Sequence, residues 1–96
     1  MRDIPNKNYY IAVFESRNHA LHLYQHLNNK KLYHYDLVPT PCVIKAGCSY
    51  SIKFLNFDDY YTLEREATLI HKKIASLYQI ESINGRRQIS KIQINE

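Results

Sequence analysis

Apolar residues in this chain do not keep one spacing. They switch from every second position to every third or fourth and back again, and that succession restricts the fold more than any other feature. Tyr9-Tyr10-Ile11-Ala12-Val13-Phe14 is a dense run of strand-forming residues. Glu15-Ser16-Arg17-Asn18 interrupts it, and Ser16 suits the N-cap of a helix over about Arg17–Asn29. Ala20, Leu23, Tyr24 and Leu27 gather on one face of that helix. Asn28-Asn29-Lys30-Lys31 ends it with polar residues and late positive charge.

Alternation returns at Leu32–Val38, read as a second strand with Tyr33, Tyr35 and Leu37 on one side. Pro39-Thr40-Pro41 stops it, because proline cannot donate to a ladder. Cys42–Gly47 reads as a loop or a short helical turn. A third strand runs from Cys48 to Phe54, with Tyr50, Ile52 and Phe54 facing one way and Ser49, Ser51 and Lys53 the other. Asp58 is the natural cap of a second helix over about Tyr60–Leu77. Its stripe is Tyr60, Leu63, Ala67, Ile70, Ile74 and Leu77. The tail, Tyr78 to Glu96, reads as a strand, a tight turn and a returning strand, with Asn84-Gly85 as a type I′ hairpin signal.

This order, β-α-β-β-α-β plus a terminal β segment, is that of the ferredoxin-like α+β sandwich. Two helices cover one face of an antiparallel sheet, and a C-terminal β-hairpin extends it. The 96 residues make a single domain, with a core over residues 8–80 and a β extension over 81–96. In this arrangement the first and second strands are parallel with the third between them. The start of the first helix therefore shares one sheet end with the Pro39–Cys48 segment.

Only two glycines and three prolines exclude collagen-like and low-complexity chains. No apolar run approaches the roughly 20 residues of a membrane-spanning helix. The first eight residues hold no apolar signal-peptide region, so a cytoplasmic setting is expected. Two cysteines are too few for a disulfide scaffold, and both thiols are expected free. Thirteen basic against nine acidic residues give a mild +4, scattered without a nucleic-acid tract.

The chemistry concentrates between Pro39 and Tyr50. Pro39 and Pro41 fix the exit from the second strand, and Gly47 opens space beside Cys48. A thiol next to a helix N-terminus, here the one at Ser16-Arg17, is placed to have its pKa lowered, and Lys45 would add to the effect. The thiolate is the species that attacks or carries a sulfur atom. Read without this context, Cys48 is a small, inert buried residue.

The strand Tyr9–Phe14, the short helix, Pro39-Thr40-Pro41, and then Ala46-Gly47-Cys48 entering an alternating strand resemble the selenium/sulfur carrier-like family of small bacterial proteins. The resemblance covers about residues 8–80. It implies that Cys48 is the carrier residue and that sulfur or selenium donor and acceptor proteins are the partners. It favours a non-enzymatic carrier and leaves open whether the chain is an enzyme. The family typically places a basic residue directly after Pro-Thr-Pro, where this chain has Cys42. That departure raises a second thiol in a resolving role, although the Cys42–Cys48 spacing is neither a C-x-x-C redox pair nor a zinc knuckle.

His19, His22 and His26 share one side of the first helix, expected to face solvent, and no acidic third ligand accompanies them, so no metal site is assigned. His19, in the first turn, is the candidate neighbour of Cys48. No phosphate loop, nucleophile elbow or cofactor motif appears, and no cofactor is expected. Two rivals belong to other classes. An RNA-binding module of the same fold needs aromatics on the uncovered sheet face, which Ser49, Ser51 and Lys53 make polar here. A non-catalytic interaction or regulatory module would use the Ile-rich tail, Ile89, Ile92 and Ile94, either for self-coverage or for a homodimer edge.

Overall fold

The computed structural model describes residues 8–45 and 49–94. Strand β1 (Tyr9–Phe14) leads into helix α1 (Arg17–Asn29). Then follow β2 (Asp36–Pro39), β3 (Tyr50–Phe54), helix α2 (Asp59–Leu69), β4 (Ile74–Ile83) and β5 (Arg86–Ile92). The result is a mixed α+β protein with one sheet, ordered β2-β3-β1-β4-β5, and every neighbouring pair is antiparallel.

Pleating sorts the strands' side chains into two apolar clusters. Ala12, Phe14, Ile52, Phe54 and Leu77 are buried in one cluster with Leu23 and Leu27 of α1 and Leu63 and Ala67 of α2. Ile11, Val13 and Ile80, of opposite parity, form the second, with Val38, Ile44, Tyr78 and Ile89 against it. The second face was expected to be polar and open. Instead Ser51 is fully buried and Ser49 nearly so. Parity places these serines correctly, but burial is decided by the loop and strands around them.

Ser16 caps α1 in extended conformation (φ −138°, ψ 157°), its Oγ accepting from the His19 N–H at 3.4 Å. Both helices end the same way. Lys31 (φ 64°) and His71 (φ 60°) take the left-handed conformation after each last turn. The N–H groups of Leu32 and Lys72 close back on the carbonyls of Leu27 and Ala67, each at 2.9 Å. These are Schellman ends built without glycine.

The second of these ends explains why α2 stops at Leu69 and not at the expected Leu77. Ile74 and Leu77 belong to β4. A bulge lies between the pairs Val13↔Ser76 and Phe14↔Ile74, leaving Ala75 extra. It lets Ile74 and Leu77, three apart, both reach the helix-side cluster. Three-residue spacing in a bulged strand mimics a helical stripe. Likewise the second strand starts at Asp36, not Leu32, because the end of α1 carries the chain through a turn first. Tyr33 is exposed there, while Tyr35 is buried with its hydroxyl donating to the Asp59 carbonyl at 2.6 Å. The hairpin at Asn84 (φ 53°) and Gly85 (φ 77°) has positive φ at both turn residues, as a type I′ turn requires. It brings the tail onto its own core: Ile89 packs on the second cluster, Ile92 and Ile94 on the first.

One buried charge joins the helices. Glu66 of α2 is 1% exposed, and its carboxylate accepts from His26 Nε2 at 2.7 Å and Lys30 Nζ at 3.0 Å on α1. His26 was expected on a solvated face; the approach of α2 turns it into an interhelical partner. Burial alone would raise the Glu66 pKa, but hydrogen bonds from Lys30 and His26 outweigh it and hold the carboxyl below its ordinary 4.5.

A group held low in the folded state stabilises the fold above the ordinary carboxylate range. That contribution is lost as pH falls through the folded value. Glu66→Gln should therefore flatten the acid limb of stability against pH in urea titrations. Glu66→Ala should cost about 2 kcal/mol at neutral pH. His71→Gly should stabilise by about 1 kcal/mol, since glycine adopts the left-handed C-terminal position without a Cβ clash; the urea midpoint reports it.

Candidate functional site

The connection from β2 to β3 begins at Pro39, which pairs with Tyr50 on an edge strand where a residue without N–H is tolerated. The Thr40 N–H donates to the Ser49 carbonyl at 3.0 Å, and the Thr40 and Ser51 hydroxyls meet at 2.5 Å in a buried pair. The Pro41 carbonyl then accepts from the N–H groups of Ile44 (2.9 Å) and Lys45 (3.1 Å), closing a single helical turn. That turn leaves the Cys42 thiol free and exposed, with Val43 also in solvent, and lays Ile44 on the second cluster.

Lys45 reaches back to the end of β1, its ammonium donating to the carbonyls of Glu15 (2.7 Å) and Phe14 (3.4 Å). Nearby, the Arg17 guanidinium lies 5.4 Å from the centroid of the Tyr50 ring, a cation–π contact between the first residue of α1 and the first of β3. The start of α1 and the β2–β3 connection are thus joined at one sheet end by two cations. Ser16, Arg17 and Lys45 gather there, together with the first-turn His19, which is half-buried.

Ala46, Gly47 and Cys48 lie outside the described residues. The expected roles of Gly47 and Cys48, and a contact between His19 and Cys48, fall with them. The residues on either side are held: Lys45 by its carbonyl partners, Ser49 by the bond from Thr40. The Ser49 Oγ is buried and has no hydrogen-bond partner among the described residues. Buried hydroxyls without a partner are uncommon in folded proteins.

The same connection forms one wall of a hollow of about 410 Å³ on the second sheet face. Ile11, Val38 and Ile80 supply its apolar floor, Pro39 to Cys42 one side, and Tyr9, Lys53 and Arg87 the remaining walls. Reading each strand separately missed this site. The signal was present in parity: Tyr9, Ile11 and Lys53 face the same way once β1 and β3 are in register. Among the described residues no group of three His, Cys, Asp or Glu is placed to hold a metal ion, and no helix is long and apolar enough to cross a membrane.

A family model described as "Putative Se/S carrier protein-like" matches residues 9–79, from the start of β1 well into β4. No curated protein and no solved structure matches the chain.

Lys45→Met should loosen the helical turn it anchors. Amide exchange at Ile44 and Lys45 should accelerate about fivefold, the equivalent of one ordinary hydrogen bond, while amides in the centre of β1 keep their protection.

Proposed function

The chain belongs to this selenium/sulfur carrier family, and from that premise we propose that it carries sulfur or selenium on Cys48 between a donor and an acceptor protein. The observation that supports Cys48 as the carrying residue is how its surroundings are held. Lys45 before it is tied to the end of β1, and Tyr50 after it to Arg17, the first residue of α1. The free N–H groups and positive dipole end of a helix start favour a nearby thiolate. The buried Ser49 hydroxyl, without a partner among the described residues, is a donor one residue away.

The transfer is an exchange at sulfur. The Cys48 thiolate attacks the outer sulfur of a donor persulfide. The donor's S–S bond breaks, its electron pair leaves on the donor thiolate, and a new S–S bond forms at Cys48. An acceptor thiolate repeats the step in the opposite sense, and selenium follows the same course. No cofactor takes part. Cys42, exposed and outside this cluster of contacts, acts as a spectator to the transfer.

The ferredoxin-like assignment belongs to the same reading. It is supported by the order β4-β1-β3-β2 within the larger sheet and by the sharing of one apolar cluster between the two helices. A bacterial origin and a cytoplasmic location, where thiols stay reduced, are part of the same proposal.

A second reading is favoured by one observation. The second sheet face carries Tyr9 and Tyr78, where the sequence of β3 alone had suggested a polar surface. Base-stacking nucleic-acid modules place aromatics on such a face. Against it, the Lys53 ammonium already sits 4.5 Å over the Tyr9 ring, and both tyrosines pack on the cluster beneath them.

Intact mass after incubation with a persulfide donor tests the carrier reading. The wild-type chain should gain one sulfur atom, removable by a reductant, and Cys48→Ser should gain none at that site. No gain on wild type, or equal gain on both proteins, overturns it.

A further inference from the structure

The hollow on the second sheet face has a floor of Ile11, Val38 and Ile80 and two cations at its walls. Lys53 stands on β3 and Arg87 on β5, with β1 and β4 between them. Three strand spacings separate their backbones, roughly 14 Å. The two charges thus bracket the apolar strip.

Neither cation has a carboxylate partner within ion-pair distance among the described residues. Asp36 is the cross-strand neighbour of Lys53, yet the ammonium lies over Tyr9. Small-molecule sites combine this kind of volume, an apolar lining and a few placed polar groups. We propose that this hollow binds a small organic dianion, a flat or apolar body resting on Val38 and the Pro39–Pro41 wall above the buried Ile11 and Ile80, with an acid group directed to Lys53 and another to Arg87. Charge complementarity sets the sign of the occupant. The spacing of the two cations sets its length, and the lack of a carboxylate among the described lining residues disfavours cations and zwitterions. The proposal stands whether or not Cys48 carries sulfur.

Cys42, exposed and on the wall of the hollow, reports its occupancy. The full chain with Cys48→Ser leaves Cys42 as its one thiol. The probe is dithiobis(nitrobenzoate), an aromatic dianionic disulfide. The Cys42 thiolate attacks one of its sulfurs, the reagent's S–S bond breaks, a mixed disulfide forms, and nitrothiobenzoate leaves with the electron pair.

The labelling rate should saturate with reagent concentration, as binding before reaction requires. Naphthalene dicarboxylate should protect the thiol at about tenfold lower concentration than naphthoate, the gain expected from one further charge-assisted contact. The pair Lys53→Gln with Arg87→Gln should abolish protection, and the same charge loss at Lys31 and Lys72 should leave it intact. A rate linear in reagent with no protection overturns the proposal, as does protection that survives the Lys53/Arg87 pair. Stronger protection by a single-stranded oligonucleotide than by the dicarboxylate also overturns it, and assigns the face to nucleic acid. Saturation and protection are read on the Cys48→Ser chain itself, so the result does not depend on the paired variant folding.

Discussion

Strand β1 is buried on both faces. Ala12 and Phe14 lie under the helices, Ile11 and Val13 under the opposite layer, and none of the four is more than 4% exposed. A strand placed between β3 and β4 and covered twice cannot be stable with helices alone. Something must shield Ile11 and Val13 from water, and the chain supplies the β2–β3 connection and the returning strand β5 for that purpose. The segment richest in chemistry is therefore also a piece of the core's cover. Its helical turn, its Ile44 and its anchor at Lys45 serve packing first.

That double role shapes the electrostatics of the sheet end. Lys45 and Arg17 are both partnered, one by backbone carbonyls and the other by the Tyr50 ring. They act as struts between the start of α1 and the entry to β3. On the far side of the layer, Glu66 does the corresponding work between the helices, a carboxylate shielded from water and held by Lys30 and His26 of the neighbouring helix. Buried charge of this kind fixes how α1 and α2 sit against each other, because a carboxylate in a dry interface must keep its donors.

Much of the architecture was legible in the sequence. The dense strand-forming run of β1, the Ser16 cap and the Asn84-Gly85 turn each carry a local signal that the surroundings do not override. The end of α2 was not legible, because His71 holds a left-handed position that glycine would have advertised, and the bulge beside Ala75 disguises β4 as more helix. The burial of Ser49 and Ser51 and the partnership of His26 with Glu66 arise only from tertiary contact. For the site, residue types and spacing pointed to the segment Pro39 to Tyr50, part of which forms a wall of the hollow. The hollow went unread because its walls come from β1, β3, β5 and the connection, which periodicity treats as separate elements. Membership of the carrier family rests on the pattern of the whole segment from residue 9 to 79 and not on any one of these contacts.

The sheet ends in two unlike margins. On one side is β2, four residues long and closing with Pro39. On the other is β5, which carries Arg86, Arg87 and Lys91. A short margin ending in a residue that cannot donate offers little for a further strand to add to, and a cationic one repels a second copy of itself. Growth of the sheet by stacking chain upon chain is thus discouraged at both sides. A protein with 45% hydrophobic residues and a five-stranded sheet keeps that sheet finite by how its borders are made.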